Sequence, residues 1–230
     1  MVVVGTRPNF IKVTRFKKVA AERGVQLSLV HTGQHYDDRM STVFFDQFGL
    51  RPDHFLNTPQ GTPATQMGHI MIGLEAIARE EKPDMLMVPG DVNSTLAGAL
   101  VANKMGVLLG HLESGLRSGD MGMPEEINRI LTDRITDAFF VTEQSGIDHL
   151  LAEGRSNEKI HFVGNTMIDT LVAFDPQVQA SPILNDLGLG KVGHVLMTIH
   201  RPATVDSETE LAKLVELIAF IAKDRKVVFP

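Results

Sequence analysis

Cysteine and tryptophan are both absent from this 230-residue sequence, and tyrosine occurs once. Without cysteine there can be no disulfide, thiolate nucleophile or zinc–thiolate site, and the composition fits a cytoplasmic setting. An excess of basic charge is missing too. Lys and Arg number 22 against 28 Asp and Glu, a formal net charge of −6, so a nucleic-acid partner is not expected. No apolar run approaches the roughly 18 residues that span a bilayer, so a membrane is not expected either. The opening "MVVVGTRP" lacks the charged and apolar regions of a signal peptide and reads as a strand that starts at once. Paired His/carboxylate spacings do not recur, so no metal site is expected. What remains is an ordinary globular composition, 43% hydrophobic and 22% charged.

Short apolar runs alternate with longer helical patterns. Residues 2–4, 25–32, 85–90, 106–111, 137–142 and 160–165 read as strands, and their near-continuous hydrophobicity suits strands buried on both faces. Between them, residues 8–23, 38–48, 65–80, 94–105, 124–136 and 143–153 read as helices. This alternation predicts an α/β fold, a parallel sheet covered by helices on both sides. After Asp169 the pattern loosens into a stretch rich in proline and glycine, expected as an interdomain connection over 171–193. Residues 1–170 would then form one Rossmann-like domain, and 194–230 the incomplete start of a second.

Apolar strands run into Gly5, Gly90, Gly110 and Gly164, and polar residues follow each glycine. In a parallel sheet these loops share one edge, where open α/β sheets bind ligands. "GTRPNFIK" is a strand-to-helix turn in which Thr6 can cap, Pro8 suits the first turn, and Arg7 and Lys12 can meet an anion at exposed amides. "TGQHYDD" places Gln34 and His35 at the end of the second strand. In "PGDVNS", Asn93 or Ser94 can cap the next helix, which leaves Asp91 free for proton transfer at the mouth of a buried strand. "GHLESGLRSGDMGMPEEINR" carries Glu113, Arg117 and the pair Glu125–Glu126 around a glycine loop. Acids in a first helical turn complement the helix dipole, so Glu125 is divided between capping and catalysis. Glu113, expected three residues past its strand, has no such alternative. The "GLGKVG" run at 188–193 has dinucleotide spacing but precedes a strand, so it reads as a turn. "TIHRP" ends the first strand of the second domain with His200 and Arg201, suited to a departing phosphate.

Taken together, "GTRPNFIK", "TGQHYDD", "PGD", "GHLESGLRSGD", "MPEEINR", "LTD", "VGNTMIDT" and "HRP" follow one another as in the non-hydrolysing UDP-N-acetylglucosamine 2-epimerases. The chain resembles that family over essentially its whole length. The resemblance implies the glycosyltransferase-B architecture of two Rossmann-like domains, with no nicotinamide or other cofactor. It implies removal of the sugar C2 proton, elimination of UDP to a glycal, and re-addition with C2 reprotonated on the other face. Asp91, Glu113 and Glu125 match the family's essential carboxylates, and His200 its histidine at the departing UDP. Arg7 and Lys12 match substrate-side residues, joined by Arg117, Arg129 and Asn165 as candidate substrate contacts. Gln34 and His35 match positions near an allosteric UDP-N-acetylglucosamine site, and a homodimer is implied. The short stretch between Arg117 and Pro124 resembles the branch with "MPEEINR", some of which acts on UDP-2,3-diacetamido sugars. Ala203, Thr204 and His69 depart from the family pattern, His69 standing where arginine is common. Family members continue past "VVFP", so the expectation is a chain that holds the acid/base half and lacks most nucleotide contacts. A glycosyltransferase and a non-catalytic UDP-sugar-binding remnant are the alternative readings.

Overall fold

The computed structural model describes residues 1–34, 45, 47–59, 61–190, 193–199 and 202–229. Two compact units divide the chain, Met1–Ala173 and Phe174–Pro230. The first is built on a seven-stranded, wholly parallel sheet: β1 (Val2–Val4), β2 (Leu29–His31), β3 (His54–Phe55), β4 (Met85–Pro89), β5 (Leu108–Leu112), β6 (Ala138–Val141) and β7 (Ile160–Phe162). Their order across the sheet is β3-β2-β1-β4-β5-β6-β7. The helices that connect them are α1 (Arg7–Val13), α2 (Phe16–Glu22), α3 (Pro63–Glu81), α4 (Asn93–Met105), α5 (Pro124–Ile135), α6 (Gln144–Ala152) and α7 (Thr166–Gln179). Among the described residues no helix is long and apolar enough to cross a membrane.

Alternation along the strands divides the core between the two faces of the sheet. Val3, Leu86, Val88 and Leu109 join Leu74 and Ala99 on one face. Val2, Val4 and Leu112 join Phe10 and Val13 on the other. Each such side chain contributes about 1.5–3 kcal/mol through burial. Helix α4 lies close on the sheet because its inner face is small: at Gly98 an added Cβ would stand 2.8 Å from Val88 Cγ1.

Several boundaries depart from expectation for identifiable reasons. The helix expected over 8–23 breaks at Thr14, whose hydroxyl donates to the Phe10 carbonyl (2.9 Å) and so competes with the helical bond there. The strand expected over 25–32 is limited to Leu29–His31, where β1 and β3 both pair with it. Gly110 does not end its strand. It lies inside β5, where an added Cβ would meet Phe140 Cε2 at 3.0 Å, and β5 continues in register with β4 to Leu112. Glu113 is therefore the first residue beyond the strand, not the third. Strand β3, two residues long, went unexpected because so short a run carries no period.

The second unit holds α8 (Ile183–Asp186), β8 (His194–Leu196), α9 (Pro202–Val205), α10 (Glu208–Ile221) and β9 (Lys226–Val228), with β8 and β9 paired in parallel. The segment expected as a connection from 171 begins inside helix α7, which carries Pro176. In this unit the Lys226 ammonium donates to the Gly188 carbonyl (2.7 Å), within the glycine-rich turn.

Candidate active site

Strand order fixes where a ligand can enter. From β1 the chain moves outward through β2 and β3, and from β4 it moves the other way through β5, β6 and β7. Neighbouring strands whose connections diverge leave a crevice at their C-terminal ends. The loops after β1 and β4 border that crevice. They are stitched together by Asn9, whose Oδ1 accepts from the Gly5 and Thr6 amides (3.3 Å each) and from the Thr6 hydroxyl (3.1 Å). Its Nδ2 donates to the Pro89 carbonyl (3.3 Å). Thr6 is thus the N-cap of α1, as expected, with Asn9 reaching back to it from the third helical position, and Arg7 begins α1 with its side chain exposed.

The floor of the crevice is Gly90, in left-handed backbone (φ 71°). A Cβ there would lie 3.0 Å from Lys12 Nζ, 3.2 Å from Asn9 Nδ2 and 3.6 Å from Glu113 Oε2, so glycine is needed for these groups to converge. Lys12 Nζ and Glu113 Oε2 form an ion pair, with side chains 11% and 16% exposed. Glu113 is also in the left-handed region (φ 71°), and both its amide (2.9 Å) and that of Ser114 (3.3 Å) donate to the Phe140 carbonyl. Next to Gly90, Asp91 pairs with Arg129, and its carbonyl accepts from Asn128 Nδ2 (2.9 Å). Each carboxylate therefore faces its own cation, the arrangement that offsets the cost of partly desolvated charge.

The remaining sequence candidates lie in differing surroundings. Arg117 is spent on protein groups: Nε and Nη2 meet the two oxygens of Glu153 (2.8 and 3.0 Å), and Nη1 meets Asp133 Oδ2 (2.8 Å) and the Leu116 carbonyl (2.7 Å). Burial works against its charge, but Glu153 and Asp133 together hold its pKa above the ordinary value. Gln34 is buried, and its Oε1 accepts from the Ser94 amide (2.9 Å) and hydroxyl (2.6 Å). It therefore caps α4 in place of the Asn93 or Ser94 side chain expected there. Glu125 is exposed, and its side chain makes no hydrogen bond or ion pair among the described residues. Asn165 is exposed, and its Oδ1 accepts from the Met167 amide (3.0 Å) at the start of α7. His35, His200 and Arg201 lie outside the described residues.

Four residues to which the sequence reading gave no role in the site organise it. Glu126 is 1% exposed, and its carboxylate accepts from the Ser118 and Gly119 amides (3.0 Å each) while Arg129 Nη1 stands 3.1 Å away. Burial pushes its pKa up, but those amides, the Ser118 hydroxyl and Arg129 bring it below the ordinary value. A helix-dipole account of the acidic pair missed this clamp, because sequence does not show which of two adjacent acids turns inward. His111 was equally hidden, as the one polar side chain of an apolar strand, and so were Asn128 and Asp133, two of many polar residues in one helix whose period does not show which turn inward. His111 is fully buried between Asp133 Oδ1 (2.6 Å from Nδ1) and the Gly90 carbonyl (2.7 Å from Nε2). Burial again opposes ionisation of Asp133, yet His111 and Arg117 hold its pKa below the usual carboxylate range.

The family model described as UDP-N-acetylglucosamine 2-epimerase matches residues 17–230. A curated UDP-N-acetylglucosamine 2-epimerase of Methanococcus maripaludis is 36% identical, covering all of this chain and 64% of its own length. The UDP-2,3-diacetamido-2,3-dideoxy-D-glucuronate 2-epimerase of Pseudomonas aeruginosa is 42% identical over 95% of this chain and 62% of its own. The crystal structure of the Methanocaldococcus jannaschii UDP-GlcNAc 2-epimerase, in complex with UDP-GlcNAc and UDP, superposes with a TM-score of 0.89 at 36% identity. That alignment covers 99% of this chain and 64% of the archaeal one. A glycosyltransferase from Rickettsia africae shares the fold alone, with a TM-score of 0.54 at 11% identity. The chain thus spans less than two thirds of the length of the epimerases it matches.

Proposed function

The chain belongs to the UDP-N-acetylglucosamine 2-epimerase family, and on that premise we propose that it carries the acid/base half of a UDP-sugar 2-epimerase. The observation that supports this most directly is the pair of ion-paired carboxylates, Glu113 with Lys12 and Asp91 with Arg129, on either side of Gly90 at the strand-order switch. In the proposed reaction one carboxylate takes the C2 proton. The electron pair so released forms the C1–C2 double bond as the C1–O bond breaks and UDP departs. UDP then re-adds at C1 while the proton donor on the other face supplies C2, which inverts that centre. Two carboxylates beside one crevice suit a reaction that removes a proton from one face of C2 and returns one to the other. Lys12, Arg129 and Arg7 supply positive charge for the diphosphate side, and His200 is proposed at the departing UDP.

The proposed substrate is UDP-N-acetylglucosamine, the ligand in the M. jannaschii crystal structure. A second reading, a UDP-2,3-diacetamido sugar, is favoured by the 42% identity to the P. aeruginosa enzyme. The proposal further includes a second copy of the chain as partner, UDP-N-acetylglucosamine as an activating ligand near Gln34 and His35, and a cytoplasmic location. Residues 194–230 are read as the start of a second Rossmann-like domain, joined through 171–193. Incubation of each UDP-sugar in deuterated water, with this chain and with a version extended to the full length of its relatives, is the test. Deuterium at C2 of the recovered UDP-sugar is expected from the extended version; a fully protiated C2 there with both sugars would remove the epimerase reading, whereas a fully protiated C2 with the 230-residue chain alone would assign the loss to its shorter length.

A further inference from the structure

We propose that His111 is a positioning residue that sets the separation between the turn carrying Asp91 and the loop carrying Glu113. The Gly90 carbonyl belongs to the same peptide unit as the Asp91 amide, so gripping that oxygen orients the backbone from which Asp91 projects. His111 Nε2 grips it at 2.7 Å, while the Gly90 amide is held by the Leu112 carbonyl (2.9 Å). On the other side of the ring, Nδ1 meets Asp133 Oδ1 at 2.6 Å. Asp133 Oδ2 then accepts from the Gly115 amide (3.0 Å), two residues past Glu113, and from Arg117 Nη1 (2.8 Å). A planar ring buried between two oxygens has one length, so it acts as a spacer between the two carboxylate-bearing segments.

The donor and acceptor inventory fixes one proton of the ring. A carbonyl oxygen only accepts, so Nε2 is the nitrogen that donates to Gly90, and Nδ1 is left to the Asp133 carboxyl group. The ring thereby joins a buried set of polar side chains, His111, Asp133, Arg117 and Glu153. Neither Lys12 nor Arg129, the cations paired with Glu113 and Asp91, belongs to this set. His111 thus acts behind the crevice through Gly90 and Asp133.

Two substitutions separate its two contacts. In His111→Gln the side-chain amide reaches the Nε2 position and can still donate to Gly90, whereas in His111→Asn it reaches only the Nδ1 position, toward Asp133. On the wild-type chain at pH 7, nitrogen-15 NMR is expected to show a proton on His111 Nε2; an unprotonated Nε2 would overturn the proposal. The Asp91 amide resonance is expected to move in His111→Asn and to stay near its wild-type position in His111→Gln; equal displacement in both would also overturn it. The kinetic arm rests on the epimerase reading above. There, the C2-exchange kcat of His111→Asn should fall about 100-fold, the cost of a misplacement near 1 Å, with KM within about twofold. His111→Gln should lose no more than about tenfold, and equal kcat losses would sink the spacer role. If the wild type exchanges nothing at C2 even in a full-length context, the epimerase reading fails and the two NMR criteria still decide the role of His111.

Discussion

Glu113 combines a half-buried carboxylate with left-handed backbone, a conformation that costs non-glycine residues roughly 1–2 kcal/mol. Glu113→Gln leaves that backbone untouched and removes the ionisable group. In the proposed epimerisation, measured in a full-length context, C2 exchange is expected to fall by about 10²–10⁴-fold, the usual contribution of a positioned acid or base, with the urea midpoint little changed. Near-normal exchange would move the acid/base role to another carboxylate. A second residue-scale prediction concerns His31, which is stacked between Phe10 and Phe55 (ring centroids 5.0 and 4.7 Å). Burial lowers its pKa to about 4, so it is neutral in the fold, whereas the unfolded chain takes up a proton near pH 6.5. Stability is then unaffected above about pH 6.5 and falls as pH drops toward 4, by about 2 kcal/mol between pH 7 and pH 5. Glu126 and Asp133 have depressed values, so their contribution is lost only at lower pH, as each is protonated in the fold. His31→Phe keeps the ring stack but loses the Nδ1 acceptor of the Gly33 amide, so it should be less stable overall with a flatter pH profile. Urea unfolding from pH 5 to 8 checks this; parallel profiles would assign the titration to another group. Sequence exposed Glu113 and Asp91 because each stands in the polar stretch that follows an apolar strand. It hid His31 and His111, because the same three-residue context fits a stacked, a charged or an idle histidine.

Between elements, the loop after β5 is fastened to the start of α6 through two glycines. Gly115 is left-handed (φ 81°), and a Cβ there would run into the Gly146 carbonyl oxygen. Gly154 has nearly the same dihedral (φ 80°) and open space around it. Gly154→Ala should therefore cost about 1 kcal/mol for backbone conformation alone. Gly115→Ala adds overpacking and should cost about 2–5 kcal/mol or prevent folding. Equal losses in chemical denaturation would show that the contact between the two backbones carries no energy. Helices α3, α4 and α5 were legible within two residues because their apolar periods are long and their ends carry Pro, Gly or acids. The break at Thr14 and the continuation of β5 through Gly110 were not. A side-chain back-bond and a close aromatic contact decided them, and neither is a property of local pattern.

For the molecule as a whole, the alternation of strands and helices was enough to give the parallel α/β class, whereas strand order was not. Nothing local records that β1 pairs with β4. The described apolar residues that are fully buried belong, with the exception of Leu189, to Met1–Ala173. Two strands seldom bury enough surface to be stable by themselves. Amides of the β8–β9 pair should therefore exchange with deuterated water faster than those of β4 and β5, as read by native-state hydrogen exchange. Equal protection would mean that both units open in one cooperative step. The order of the strands also sets a timetable for synthesis. Val2 pairs with Leu29 and with Met87, so the central strand gains its first neighbour early and its second about three times further along the chain. Lys12 and Glu113 lie 101 positions apart. At about 5–20 residues per second, the lysine leaves the ribosome roughly 5–20 s before its counter-ion exists. During translation Lys12 therefore precedes Glu113 while Asp91 precedes Arg129, so each of the two pairs begins with a single charge, of opposite sign in the two cases.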